Sequence, residues 1–313
     1  MRVYFAPMEG LTDRIYRRLH HTCFGGVDRY YMPFFSPTVH RALTPREALE
    51  LPYADTVPFA AVPQILTRVP EDFLWAAEQC RQQGYDEVNL NAGCPSGTVV
   101  AKGKGAGLLA DPKQLDAFLN EIFSGADIAV SVKTRIGVRS PEEFPALLEV
   151  YNRYPISRLI VHPRVRGQFY KGRADRAVFR YCLENSRSPL CYNGDLFTLP
   201  EVEEFRQEFP GTEAVMIGRG LIGNPAMFHP GTPAFKLEEF HDALLEQYLA
   251  AFGGSRNAMF RMKEHWQTML GLFEGSEKLG KQLRKTTDLQ EYRSITHRIF
   301  RELPLRQNLR SPW

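Results

Sequence analysis

Across the first 233 residues, short apolar runs alternate with amphipathic stretches, and this alternation limits the fold more than any other feature of the chain. The runs at 3–8, 29–34, 59–66, 87–91, 128–134, 158–162, 190–193 and 214–218 have the length of strands and are rich in β-branched and aromatic side chains. Helical patterns between them carry start signals: Pro70-Glu71-Asp72, Asp111-Pro112, Ser140-Pro141-Glu142-Glu143 and Leu199-Pro200-Glu201, with Gly84 as a stop after the first. Repeated strand–helix units pair their strands in parallel, and about eight of them predict an α/β fold of the TIM (β/α)8 type. The rival is a doubly wound open sheet, which wants a G-x-G-x-x-G turn after its first strand. Here that turn reads Ala6-Pro7-Met8-Glu9-Gly10. Beyond residue 233 strand signals become sparse, and 237–252, 257–273, 277–286 and 289–301 read as helices. The expected organisation is a barrel over residues 1–233 and a small C-terminal helical bundle over 234–313, joined through Phe228-His229-Pro230-Gly231-Thr232-Pro233.

In such a barrel the chemistry gathers where strands end. Gln64, Asn91, Lys133 with Arg135, His162 with Arg164, Asn193-Gly194-Asp195 and Gly218-Arg219-Gly220 all fall at or just past those ends. The two glycine-containing tripeptides follow the seventh and eighth strands, the usual phosphate seat, where backbone N–H groups approach an anion and Arg219 adds donors. Lys133 ends an apolar run and needs a negative partner if it points inward. His162 suits either ring orientation or a structural hydrogen bond, and Gln64 offers a donor and an acceptor for the edge of a heterocycle. Cys94, in Asn91-Ala92-Gly93-Cys94-Pro95-Ser96, is presented on a turn just past a strand. An ordinary thiol is mostly protonated at neutral pH and serves as a general acid; as a nucleophile it needs a base that the sequence does not name. The basic loop Lys102-Gly103-Lys104-Gly105-Ala106-Gly107 fits a cover over the site, a phosphate contact or a solvated loop equally well.

Several classes are excluded by what is missing. No metal-ligand spacing, G-x-S-x-G elbow or Walker loop is present. Five scattered cysteines without a C-x-x-C pair argue against a disulfide or zinc scaffold and favour a reducing cytoplasm. No apolar run approaches the roughly 18–20 residues of a membrane span, and the amino-terminal segment lacks signal-peptide character. The net charge is only +3, but from Arg256 onward basic residues outnumber acidic ones about two to one, which suits either a polyanion or a solvated helix face.

Taken together, Ala6-Pro7-Met8-Glu9-Gly10-Leu11-Thr12-Asp13, Asn91-Ala92-Gly93-Cys94-Pro95, Ser131-Val132-Lys133-Thr134-Arg135, Val161-His162-Pro163-Arg164, Gln168-x-Tyr170-x-Gly172-x-Ala174-Asp175, Asn193-Gly194-Asp195 and Met216-Ile217-Gly218-Arg219-Gly220 resemble the tRNA-dihydrouridine synthases in type, order and spacing. The resemblance implies an FMN-binding barrel followed by a helical RNA-binding domain. It implies that Pro7, Met8 and Glu9 line the flavin, that Gln64 and Lys133 stand at its ring edge, and that His162 contacts it. Asn193, Gly194, Asp195, Gly218 and Arg219 would hold its phosphate end. Asn91 would engage the uracil and Cys94 would protonate C5 after hydride reaches C6, with NADPH (or NADH) as reductant. Arg135, Arg164, Arg261 and Lys263 are expected at the RNA, the last two in Arg261-x-Lys263-x-x-Trp266, where Trp266 also fits a core position. A monomer acting on tRNA in the cytoplasm, away from membranes, is expected. Many relatives carry an acidic residue at the end of the second strand, where this chain has Tyr31-Met32-Pro33-Phe34-Phe35, so the target uridine and the choice between tRNA and rRNA stay open. A dihydroorotate-type reductase of a free pyrimidine would use the same barrel without the basic tail. A non-catalytic RNA-binding protein would need a disrupted site, whereas Asn91, Cys94 and Lys133 are intact.

Overall fold

Pro63 divides the third expected strand. Having no N–H, proline cannot donate to a ladder, and the run at 59–66 becomes two short segments, one paired to each side. The computed structural model, which describes residues 1–38 and 40–306, accordingly has nine parallel segments. They are β1 (Arg2–Phe5), β2 (Arg29–Tyr31), β3 (Ala61–Val62), β4 (Gln64–Ile65), β5 (Glu87–Ala92), β6 (Ala129–Arg135), β7 (Leu159–His162), β8 (Leu190–Tyr192) and β9 (Ala214–Ile217). Their order, β3-β2-β1-β9-β8-β7-β6-β5-β4, runs round a ring whose two ends meet at Pro63. The Pro63 carbonyl still accepts from the Asn89 N–H at 2.8 Å. The fold is a TIM-type barrel with a helical C-terminal part.

Strand alternation separates two apolar layers. Tyr4, Ala6, Tyr31, Val62, Ile160, Cys191, Ala214 and Met216 fill the barrel interior, while Phe5, Tyr30, Ile65, Leu90, Val132 and Val161 face the surrounding helices. Those helices begin where the sequence supplies caps. Asp111 accepts from the Lys113 N–H at 2.9 Å and opens helix Pro112–Gly125, while Thr198 and Glu201 form a reciprocal capping box at helix Leu199–Glu208.

Helices Ala234–Phe252, Ser255–Met269, Glu277–Lys285 and Leu289–Glu302 form the C-terminal part. The helix expected over 257–273 ends at Met269 and tightens into a 3₁₀ turn, Leu270–Leu272. The bundle packs on the first barrel helix, Arg14–Cys23, through aromatic rings: Tyr16 lies 5.5 Å from Phe240 and 4.9 Å from His265, centre to centre. Trp266 is a core residue, buried, with its indole N–H donating to the Tyr292 hydroxyl at 3.0 Å. Among the described residues no helix is long and apolar enough to cross a membrane.

Candidate active site

The strand ends enclose an open cleft at the mouth of the barrel, where small-molecule sites of this fold lie. Pro7 and Met8 from the loop after β1, Lys133 from β6, His162 from β7, Asn193-Gly194-Asp195 after β8 and Gly218-Arg219 after β9 all line it. Two expected cofactor residues do not. Glu9 lines a neighbouring cleft and makes a 3.4 Å contact with Arg46. Gln64 lies fully buried beneath, within a chain of amides.

That chain of amides organises the cysteine turn. Ser131 Oγ accepts from Asn89 Nδ2 (2.9 Å), Asn89 Oδ1 from Gln64 Nε2 (2.7 Å), and Gln64 Oε1 from Asn91 Nδ2 (2.8 Å). Asn91 Oδ1 then accepts the N–H groups of Gly93 (3.1 Å) and Cys94 (2.9 Å). Both ends of the Asn91 amide are thus engaged inside the protein. Asn89 and Ser131 were not singled out in the sequence. The available signal was their place two residues from Asn91 and Lys133, which puts each pair on one face of a strand.

From the other side the loop after Cys94 packs against it. Gly105, at φ +58°, approaches so closely that a Cβ there would lie 2.9 Å from the Cys94 Cβ and carbonyl oxygen. The Ala106 N–H donates to that carbonyl at 3.0 Å, and Lys104 Nζ donates to Ser36 Oγ at 2.8 Å. The glycine-rich basic loop is therefore a buttress of the cysteine turn. Cys94 itself is half-buried, and burial raises its thiol pKa despite the opposing Ser96 N–H, Arg135 and Lys133.

Arg164, expected at the RNA, has no exposed surface. Its guanidinium donates to Asp195 Oδ2 (2.5 Å), the Gly172 carbonyl (2.6 Å) and His162 Nε2 (3.0 Å). A guanidinium only donates, so His162 Nε2 is the acceptor and the proton of the neutral ring sits on Nδ1. Burial and the cations Arg135, Lys133, Arg164 and Arg219 push the His162 pKa well below its usual value, consistent with a neutral ring. Arg135 is likewise internal, donating to the carbonyls of Gly93 (3.0 Å), Val165 (3.1 Å) and Phe169 (2.8 Å). Lys263 donates to the carbonyls of Arg284 and Thr286, where helix Glu277–Lys285 ends. Arg261 pairs with Glu264 at 3.2 Å and packs over Gly10. Arg135, Arg164 and Lys263 thus hold loops or a helix end through backbone carbonyls.

The charge balance of the cleft is lopsided. Lys133 and Arg219 line it, Arg135 and Arg164 lie buried behind its wall, and Asp195 is the carboxylate in the lining, accepting from Arg164 and from Arg219 at 3.1 Å. Lys133 has no hydrogen-bond or ion-pair partner among the described residues; burial and Arg135 lower its pKa to about 8. Gly220 faces the Leu196 carbonyl too closely for any Cβ, which keeps the loops after β8 and β9 side by side. Surplus positive charge, one neutral histidine donor and two close backbone loops fit a ligand with a phosphate at one end and an electron-rich ring at the other, as FMN has. No group of side chains suited to a metal ion occurs among the described residues.

Comparison with known proteins identifies the family and the fold. The sequence pattern of the family described as "Dihydrouridine synthase (Dus)" matches residues 4–308. The "Probable tRNA-dihydrouridine synthase" of Rhizobium leguminosarum bv. phaseoli is 29% identical over 293 residues, covering 89% of this chain and 89% of that protein. The "tRNA-dihydrouridine synthase B" of Proteus vulgaris is 31% identical over 225 residues, covering 71% of this chain and 68% of its own length. Among solved structures, the old yellow enzyme homologue from Zymomonas mobilis superposes with a TM-score of 0.55 at 13% identity, covering 74% of this chain and 89% of that one. At that identity the likeness is one of fold.

Proposed function

The chain belongs to the dihydrouridine synthase family, and from that premise we propose that it reduces the C5=C6 bond of uridines in tRNA, with FMN bound in the cleft, NADPH (or NADH) as reductant and Cys94 as proton donor. The observation that carries the reading is the cleft itself: a surplus of buried cations at the ends of β6 to β9, beside a cysteine turn held from both sides.

In this reading Gly194, Gly218 and Arg219 hold the phosphate, while Lys133 offers its ammonium to the electron-rich ring and His162 its Nδ1–H to a ring or ribityl oxygen. FMN, when bound, supplies the hydride that adds to C6 of the uracil. That addition leaves negative charge delocalised over C5 and the C4 carbonyl, and the Cys94 thiol gives its proton to C5. A raised pKa suits that task, because the thiol is protonated at neutral pH before each turnover. Asn91 holds the turn that aims the thiol, and the Gln64–Asn89–Ser131 chain holds Asn91. A uridine in folded RNA reaches the cleft only after swinging out of its stack, at a cost of a few kcal/mol that contacts elsewhere on the RNA offset. All five cysteines are free, in keeping with a reducing cytoplasm, and we assign the reaction to a monomer there.

The test has two arms. Purified protein is expected to be yellow with a flavin spectrum, and a colourless preparation that FMN cannot reconstitute would sink the cofactor assignment. Dihydrouridine mapping of total RNA from cells with and without the gene is expected to reveal tRNA positions that lose the modification; loss confined to rRNA would redirect the substrate.

A further inference from the structure

Resting on the reading of an RNA substrate, we propose that Phe260 is a stacking platform for an unpaired base of that RNA, flanked by Arg46, Arg256 and Arg261. Phe260 lies on helix Ser255–Met269 with 67% of its surface exposed, and its ring touches no other aromatic ring among the described residues. It forms one wall of a cleft of about 580 Å3 whose other walls are Arg46, Phe252, Asn257 and Arg261. This cleft lies at the seam between barrel and bundle, since Arg46 belongs to the barrel helix Pro45–Glu50.

The surroundings are arranged for a polyanion with flat faces. Arg256 stands one turn before Phe260 on the same helix face, is exposed, and has no ion-pair partner among the described residues. Arg46 touches Glu9 through one 3.4 Å contact between largely exposed groups, a pair weak enough for Arg46 to turn to a phosphate. Arg261 packs over Gly10, two residues past Met8 in the wall of the catalytic cleft. Of the carboxylates nearby, Glu9 and Glu264 are engaged with these arginines, while Glu47 and Glu50 on the Arg46 helix are held by the Thr44 N–H and by Arg17. A base laid on Phe260 therefore has cations for its flanking phosphates on both sides, and the chain of contacts from Phe260 through Arg261 and Gly10 leads to the reaction site. Base–aromatic stacking tolerates any base, so the platform fixes where a loop lies without reading its sequence.

The experiment measures binding of an unmodified tRNA transcript carrying 2-aminopurine at unpaired loop positions in turn. Wild-type protein and Phe260→Tyr are expected to quench the fluorescence at one loop position. Phe260→Ala is expected to lose that quench and to bind about tenfold more weakly, with an unchanged melting midpoint. Arg46→Ala and Arg256→Ala are each expected to make the dependence of affinity on salt less steep. The platform is overturned if Phe260→Ala quenches and binds like wild type. It is equally overturned if the loss is as large for a fully paired RNA duplex, or if the substitution changes only the oligomeric state, which would make this a protein–protein surface. Wild-type protein that quenches at the loop yet forms no dihydrouridine would overturn the reaction and leave the platform standing. Dihydrouridine formation with Phe260→Ala indistinguishable from wild type in binding and quench would do the reverse.

Discussion

Two residues, Cys94 and Lys133, carry proton chemistry whose direction follows from where they sit. Because burial raises the Cys94 pKa, its alkylation by iodoacetamide is expected to be slow at pH 7 and to reach half its maximal rate above the ordinary thiol value of about 8.5. A midpoint below that value would mark a thiolate nucleophile instead. Cys94→Ala is expected to retain FMN and to lose uridine reduction by roughly 10²- to 10⁴-fold, the span of a missing general acid. Lys133 works in the opposite sense: burial lowers its pKa to about 8. Between about pH 8 and the unfolded value of about 10.4 the unfolded chain keeps a proton that the native chain has released, so ligand-free protein should gain stability as pH rises through that window. An anion in the cleft restores the proton, so FMN affinity is expected to fall as pH climbs past 8, measured by fluorescence titration. Lys133→Met should remove both trends, and a pH-dependent affinity that survives this change would assign the trend to another group.

At the scale of elements, the loop after Cys94 is the part most sensitive to a single methyl group. Gly105 holds φ +58° with the Cys94 Cβ and carbonyl at the limit of contact. Gly105→Ala should therefore cost about 1 kcal/mol or more of stability and lower kcat for RNA while FMN remains bound; an unchanged kcat would detach the loop from the thiol. This loop also marks the limit of what the sequence discloses. The alternation of runs identified every barrel wall, and the positions of Lys133, His162, Asp195 and Arg219 at strand ends followed from it, because period and strand polarity are local properties. The run at 59–66 was expected as one strand, although proline within a strand run is a signal that could have marked the seam at Pro63. The partners of a charged side chain are set by tertiary approach and were not readable. Arg135 and Arg164 look like RNA contacts as residue types, yet carbonyls and a carboxylate from other loops surround them. Lys263 is similarly claimed by carbonyls at the end of a helix that comes about twenty residues later.

For the whole molecule, barrel and bundle share one continuous apolar core, in which Tyr16 and Phe24 from the barrel side meet Phe240 and His265 from the bundle. Thermal unfolding is therefore expected as a single calorimetric transition, and two resolved transitions would mean that the seam contributes little to either part. The ring order has a consequence for synthesis. β1 pairs with β9, Arg2 opposite Ala214 and Phe5 opposite Ile217. At ribosomal rates of about 5–20 residues per second, the strand made first waits roughly 10–40 s for this neighbour, and longer for Phe240 to cover the helix behind it. Throughout that interval one edge of β1 and the aromatic face of Arg14–Cys23 stand open to the cell. The nascent chain is thus a client for whatever shields unfinished sheets, and its yield in a cell should depend on how fast the stretch from β9 through Phe240 is made.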